Sequence, residues 1–257
     1  STSAFAKEDK SMLYDDGCFT NPPFKDMKVC TYGNKQSTKR LALMGNSHAG
    51  PWISIVKELA EKYDWRGDTY LASRCYPIGI PIDFGKLGQT YQKNCLSWTA
   101  RAKQRIVQGN YTGVILSSWS LYNIPGSTVA KSDRIKIDAY KKMLSDINAS
   151  GTNVLVIRDF PVHERNIPDC VAEKSEPGRC ATPRAKALKL DPQYEAAKSL
   201  QDLRVRKISI NDILCDEREC VATMGGLIAY FDHGHLSNSF TKTLAPRIAP
   251  EVIKVMR

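Results

Sequence analysis

No apolar run in the 257-residue chain approaches the ~20 residues that span a bilayer. The longest, Val221–Phe231, is short and carries two glycines, so the sequence holds no transmembrane helix. A C-x-x-C pair is absent, which removes the spacing typical of zinc ribbons and of thioredoxin-like redox sites. Internal repeats and low-complexity tracts are absent too, excluding solenoids and disordered tails. No block of basic residues alternates with aromatics. Lys136, Lys141, Lys142, Arg204, Arg206 and Lys207 are scattered, without the basic patch a nucleic-acid partner requires. Histidine is scarce, four in all, so any cluster of two is informative. With no initiator Met and no charged-then-apolar leader, Ser1 reads as the start of a mature chain or of an excised domain.

What is present is ordinary for a globular chain: 42% hydrophobic and 25% charged residues. The length favours one domain, which removes roughly three quarters of its unfolded surface from water and needs no metal to fold. Thirty-seven Lys and Arg against 27 Asp and Glu leave a net charge of +10, a balance that attracts nucleic acid, anionic lipid or acidic glycans without choosing among them. The eight cysteines fall into neighbouring couples, Cys18 with Cys30, Cys75 with Cys95, Cys170 with Cys180 and Cys215 with Cys220. An even count at short spacings points to disulfides and an oxidising compartment; the competing reading is eight reduced, buried cysteines in the cytosol.

Residues 1–37 show no sustained period and read as an irregular, disulfide-tied extension. Residues 38–257 alternate strands with helices. Arg40–Met44 is a short apolar run ending at Gly45, as a buried parallel strand does. Pro51 then suits a first helical position, and Trp52, Ile55, Val56, Leu59 and Tyr63 recur at helical spacing opposite a charged face. Further strands are expected over Thr69–Ser73, Val114–Trp119, Val154–Asp159 and Val205–Ile210. Further helices are expected over Trp98–Gln108, Asp133–Ala149, Pro192–Leu203 and Thr241–Met256, and a long loop over Pro161–Leu190. Five such alternations predict an α/β fold, a three-layer α/β/α sandwich around a five-stranded parallel sheet.

Ligands of open α/β sheets bind outside the carboxyl ends of the strands. Gly45-Asn46-Ser47-His48 occupies such an end, where Ser47 is either a nucleophile or a helix cap. Near the other terminus, Asp232-His233-Gly234-His235-Leu236-Ser237 precedes the last helix. An Asp three residues before a His can reach its Nδ1–H and leave Nε2 free to take a serine proton. Ser47, His235 and Asp232 thus supply nucleophile, base and orienter. The alternatives are stray loop histidines, or a metal held by His233 and His235, for which no further ligands have suitable spacing. His48 reads as a packing or helix-start residue, and His163 as an exposed, silent one. Arg158-Asp159 either faces the site or forms a structural ion pair. The sequons at Asn110 and Asn148 carry little weight.

The Gly-x-Ser block after the first strand, with Asp-x-x-His-Leu before the terminal helix, resembles the SGNH/GDSL hydrolases. Leu43-Met44-Gly45-Asn46-Ser47-His48-Ala49 with Trp52 resembles one branch: the periplasmic SGNH domain fused behind the membrane domain of bacterial acyltransferase family 3 proteins, which O-acetylate O-antigen and other envelope glycans. Cys75-Tyr76-Pro77, Cys95 with Trp98, and Cys215 with Cys220 are similar to that branch's cysteine pattern. The resemblance spans about residues 15–257 and implies a flavodoxin-like fold, with Ser47, His235 and Asp232 catalytic. It also implies that 1–37 is the extension linking to the membrane domain.

Three departures stand out. Asn46 replaces the usual Asp, and Ser117-Ser118-Trp119-Ser120 lacks the customary Asn donor of the third block. The second-block glycine is replaced near Arg74-Cys75. Asn46, Cys75 and Trp119 are therefore the oxyanion-hole or substrate candidates, Trp119 also as a sugar platform or a core ring. A missing donor costs ~10²–10³-fold in rate.

The implied activity is transfer of an acetyl group to a hydroxyl of a cell-envelope polysaccharide, O-antigen of lipopolysaccharide first, through an acyl-serine. The acetyl is supplied by an attached transmembrane acyltransferase domain, with no cofactor, metal or nucleic acid, in the periplasmic part of an inner-membrane protein. A periplasmic esterase and a non-catalytic glycan-binding or docking domain are the competing readings.

Overall fold

The computed structural model describes residues 2–120, 122–173, 177–200 and 204–257. Its centre is five parallel strands: β3 (Arg40–Gly45), β4 (Arg66–Ala72), β5 (Gly113–Ser117), β6 (Asn153–Ile157) and β8 (Val205–Ile208). They lie in the order β4-β3-β5-β6-β8. The chain leaves β3 toward β4 on one side and returns to β5 on the other, so a crevice opens at the carboxyl ends of β3 and β5.

Residues 1–37 carry more regular structure than their lack of period implies. They hold α1 (Ser3–Glu8) and two short strands, β1 (Phe19–Thr20) and β2 (Val29–Gly33). Both strands pair with β4, β1 parallel and β2 antiparallel, making the sheet seven-stranded. Pairings so short and so distant in sequence leave no local signature.

Alternation along the buried strands sorts side chains between two cores. Leu41, Leu43, Leu71, Ile115 and Leu155 face α2 (Ile53–Lys62) and the C-terminal helices, packing with Trp52, Val56, Ile248 and Val252. Ala42, Met44, Val114, Leu116 and Val156 face α3 (Gly88–Gln108) and α4 (Val129–Ala149), packing with Trp98, Ile106, Tyr140 and Leu144.

α3 begins ten residues ahead of its expected start, in a polar stretch without apolar period. The expected loop 161–190 contains α5 (Ile167–Glu173), the two-residue strand β7 (Thr182–Pro183) and α6 (Arg184–Ala187). Pro51 lies inside a 3₁₀ turn, Ser47–Trp52, that precedes α2. α7 is Pro192–Ser199, residues 201–203 of that expected helix lying outside the described residues, and α8 is Asn211–Leu214. The expected last helix is divided into α9 (Asn238–Thr243) and α10 (Ala245–Val255).

All eight cysteines are paired: Cys18–Cys30, Cys75–Cys95, Cys170–Cys180 and Cys215–Cys220. Among the described residues no helix is long and apolar enough to cross a membrane.

Candidate active site

β3 ends on Gly45 because nothing larger fits. A Cβ there would stand 1.8 Å from the Ser117 carbonyl oxygen and 2.8 Å from the Ala49 side chain. That close approach of β3 to β5 lets the chain turn at once into the 3₁₀ segment, with Ser47 as its first residue. Asn46 caps the turn, its Oδ1 accepting from the His48 N–H at 3.2 Å. At the other end of the chain, Asp232 Oδ1 accepts from the backbone N–H groups of Gly234 and His235, both at 2.8 Å, folding Asp232–His235 into a tight loop.

The two segments meet. His235 Nδ1–H donates to Asp232 Oδ2 at 2.7 Å, and Ser47 Oγ–H faces His235 Nε2 at 3.0 Å. Burial pulls the Asp232 pKa upward, but the hydrogen bond and charge of His235 and the two backbone donors outweigh it and hold it at about 2. The carboxylate therefore stays ionised and fixes the imidazole with Nε2 unprotonated toward the serine. Both ring nitrogens of His235 are engaged, and the described residues contain no cluster of three or more His, Cys, Asp or Glu placed to hold a metal.

Ser47 and His235 open onto a cleft of about 590 Å³. His48 and Trp119 line it on the sheet side. Its facing wall comes from residues 1–37, through Tyr14, Phe19, Asn21 and Lys28, none of which sequence reasoning singled out. Tyr14 sits edge-on to Phe231 at 5.7 Å, and Phe231 stacks on the His235 ring at 5.3 Å, so the extension buttresses that imidazole. Burial and then the Asp232 charge push the Tyr14 phenol pKa upward. Asp9 supplies what α9 lacks, since Asp9 Oδ2 accepts from the Ser239 N–H at 3.0 Å at that helix's start.

The remaining predicted residues divide. Asn46 is buried: one Nδ2–H donates to the Trp119 carbonyl at 2.8 Å, and its Oδ1 accepts from the Trp119 N–H at 3.0 Å. It fixes the loop after β5, and its second Nδ2–H is uncommitted among the described residues. Cys75 is buried in its disulfide, and its side chain offers no donor. Trp119 lines the cleft as a half-buried ring whose indole N–H has no partner. Ser117 Oγ accepts from Trp52 Nε1 at 2.9 Å, and Ser118 Oγ donates to Gln193 Oε1 at 2.8 Å, so both face into the fold.

Arg74 takes the second-block position with φ of 62°, a left-handed conformation that glycine adopts at least cost. It lines the cleft, and its backbone N–H has no partner among the described residues.

His48 packs face to face on Phe160 at 4.6 Å, with Nδ1 at 2.6 Å from Asp159 Oδ1. Burial lowers the His48 pKa and raises that of Asp159, so the site disfavours charge on either partner. Asp159 thus pairs with His48 rather than with Arg158, which lies over the Tyr194 ring. His163, expected to be exposed, is buried, hydrogen-bonded to Thr182 Oγ1 at 2.8 Å and edge-on to Tyr230. Those partners are nonlocal, and no sequence signal announces them.

Residues 17–250 match the family described as the SGNH domain fused to AT3 domains. A solved structure titled as the periplasmic domain of a Salmonella ser. Paratyphi A lipopolysaccharide acetyltransferase is similar in fold. It has a TM-score of 0.62 and 17% sequence identity, with 85% of each chain covered. No curated protein matches the chain. With the match extending over most of its length, the chain belongs to the SGNH domains that occur fused to AT3 domains.

Proposed function

We propose that this chain is an O-acetyltransferase domain working through an acyl-enzyme on Ser47, with a cell-envelope polysaccharide as acceptor. The observation that carries the reading is the unbroken hydrogen-bond chain from Asp232 through His235 to Ser47. In the first half-reaction His235 Nε2 takes the Ser47 proton as Oγ attacks the acetyl carbonyl. The tetrahedral oxyanion accepts from the backbone N–H of Ser47, unpaired as the first residue of its turn, and from that of Arg74. Collapse expels the donor's leaving group, which takes the proton from His235. In the second half a sugar hydroxyl gives its proton to His235 and attacks the ester carbonyl. Ser47 leaves, recovers that proton, and the acetyl has moved to the glycan.

Four disulfides suit an oxidising compartment, and the family's fusion to AT3 domains suits a membrane partner that delivers the acetyl group. Both support a position on the periplasmic side of the inner membrane, and the acetyltransferase with the similar fold favours O-antigen of lipopolysaccharide as acceptor. A docking module has no use for a serine, an imidazole and an ionised carboxylate in register. The test is Ser47→Ala in the membrane protein that carries this domain. Loss of glycan acetylation with unchanged protein level is expected, and full acetylation by that variant contradicts the mechanism.

A further inference from the structure

We infer that the acceptor read by this cleft is an acidic glycan, its carboxylate or phosphate held by Lys28 and Arg74. The inference rests on the acyl-transfer reading above for the identity of the cleft as an acceptor site, and adds the substrate class.

The cleft is charged on one sign only. Lys28 and Arg74 line it, both exposed, and no Asp or Glu does. Asp232, which orients His235 beside the cleft, is already engaged by that ring and two backbone donors. Neither cation has an ion-pair partner among the described residues. Some cations elsewhere are neutralised by carboxylates, as Arg40 and Arg66 are by Asp68, Lys136 by Asp133 and Arg206 by Glu251. Two unmatched cations facing a site without carboxylates form a receptor for an anion, and the net charge of +10 draws polyanions toward it.

These cations also sit on fixed ground. The Lys28 backbone N–H donates to Thr20 Oγ1 at 3.1 Å, and Cys18–Cys30 brackets the segment. Arg74 follows β4 and adjoins the Cys75–Cys95 disulfide. Little backbone freedom remains to be lost on binding. The aromatic rings of Tyr14, Phe19, Tyr122 and Trp119 line the same cleft as Ser47 and the two cations, and supply apolar surface for pyranose rings. An anionic glycan gains charge-assisted hydrogen bonds at this wall that a neutral one cannot make, so the wall favours the acid.

The experiment measures binding on the full chain carrying Ser47→Ala, in which no acyl transfer occurs, so the outcome does not depend on the nucleophile assignment. Three probes are titrated: an oligogalacturonate, the same oligosaccharide after carboxyl reduction, and a poly(glycerol phosphate). At least one acidic probe is expected to bind about 10-fold or more tighter than the reduced one, as charge-assisted hydrogen bonds imply. Whichever acid binds tighter names the anion. Lys28→Gln with Arg74→Gln is expected to bring that probe down to near the level of the neutral one and to weaken the salt dependence, with circular dichroism unchanged. Equal binding of charged and reduced probes, a preference that survives the double substitution, or no binding of either acid overturns the inference.

Discussion

The side-chain amide of Asn46 holds both backbone groups of Trp119, donating to its carbonyl at 2.8 Å and accepting from its N–H at 3.0 Å across the crevice between β3 and β5. The residue before the serine therefore works as a strut. A carboxylate there could accept from the Trp119 N–H but would face its carbonyl oxygen without a donor. Asn46→Ala should cost about 1–3 kcal/mol of stability through the buried backbone groups left unpaired. It should also lower turnover of p-nitrophenyl acetate by loosening the loop that carries Trp119. Asn46→Asp should fall between Ala and the parent in chemical denaturation. An Asp variant as stable as the parent would show that the Trp119 carbonyl needs no donor.

Asp232→Asn keeps the shape of the loop but removes the charge that fixes the His235 tautomer, and about a 10³–10⁴-fold loss of esterase turnover is expected. The same carboxylate links stability to pH. Its folded-state pKa of about 2 lies below the ordinary 3.8, so its contribution is complete above pH 3.8 and is lost as pH falls toward 2. The parent should lose about 2 kcal/mol across that window relative to Asp232→Asn. Parallel acid-unfolding curves for the two would contradict the assignment.

Burial disfavours charge on both His48 and Asp159, so a neutral replacement should be tolerated better than a truncation. Asp159→Ala leaves a ring nitrogen unpaired and should destabilise by about 1–3 kcal/mol, while Asp159→Asn should cost less. Here the pH dependence has the opposite sign. The folded state binds the Asp159 proton more tightly than the unfolded chain, so stability from this group declines as pH rises above 3.8, and Asp159→Asn should flatten that decline. Thermal unfolding across pH 4–7 distinguishes the two; a decline unchanged in the variant assigns it elsewhere.

The Cys75–Cys95 disulfide ties the turn carrying Arg74 to α3 across 20 residues. Replacing both cysteines with Ala should cost about 3 kcal/mol by releasing loop-closure entropy in the unfolded chain. It should also raise KM for acyl substrates more than it changes the far-UV spectrum. Equal stability with unchanged KM would mean that the turn is held by its packing alone.

The parts of the fold and site that can be read from sequence are those whose causes are local. The apolar run ending at Gly45, the helical period of α2 and the three-residue spacing of Asp232 and His235 each sit within one element. Together they mark the carboxyl edge of a parallel sheet. The parts that cannot be read depend on distant partners. β1 and β2 exist because the free edge of β4 pairs with them, and the cleft wall carrying Tyr14 and Lys28 follows from that pairing. His163 is buried by Tyr230 and Thr182, and Asp159 meets His48, whose ring is held against Phe160. The polar first half of α3 has no apolar stripe to announce it, and its helix is fixed by contacts of Cys95 and Trp98 further along.

Trapping the acyl-enzyme addresses the chemistry at its source. The chain is mixed with p-nitrophenyl acetate, quenched in acid within the first turnover and mapped by peptide mass spectrometry. A single added acetyl group on the peptide holding Ser47, absent from Ser47→Ala and accumulating far more slowly in His235→Ala, is the predicted result. Acetylation confined to lysines, or turnover by Ser47→Ala equal to that of the parent, would contradict an acyl-serine mechanism.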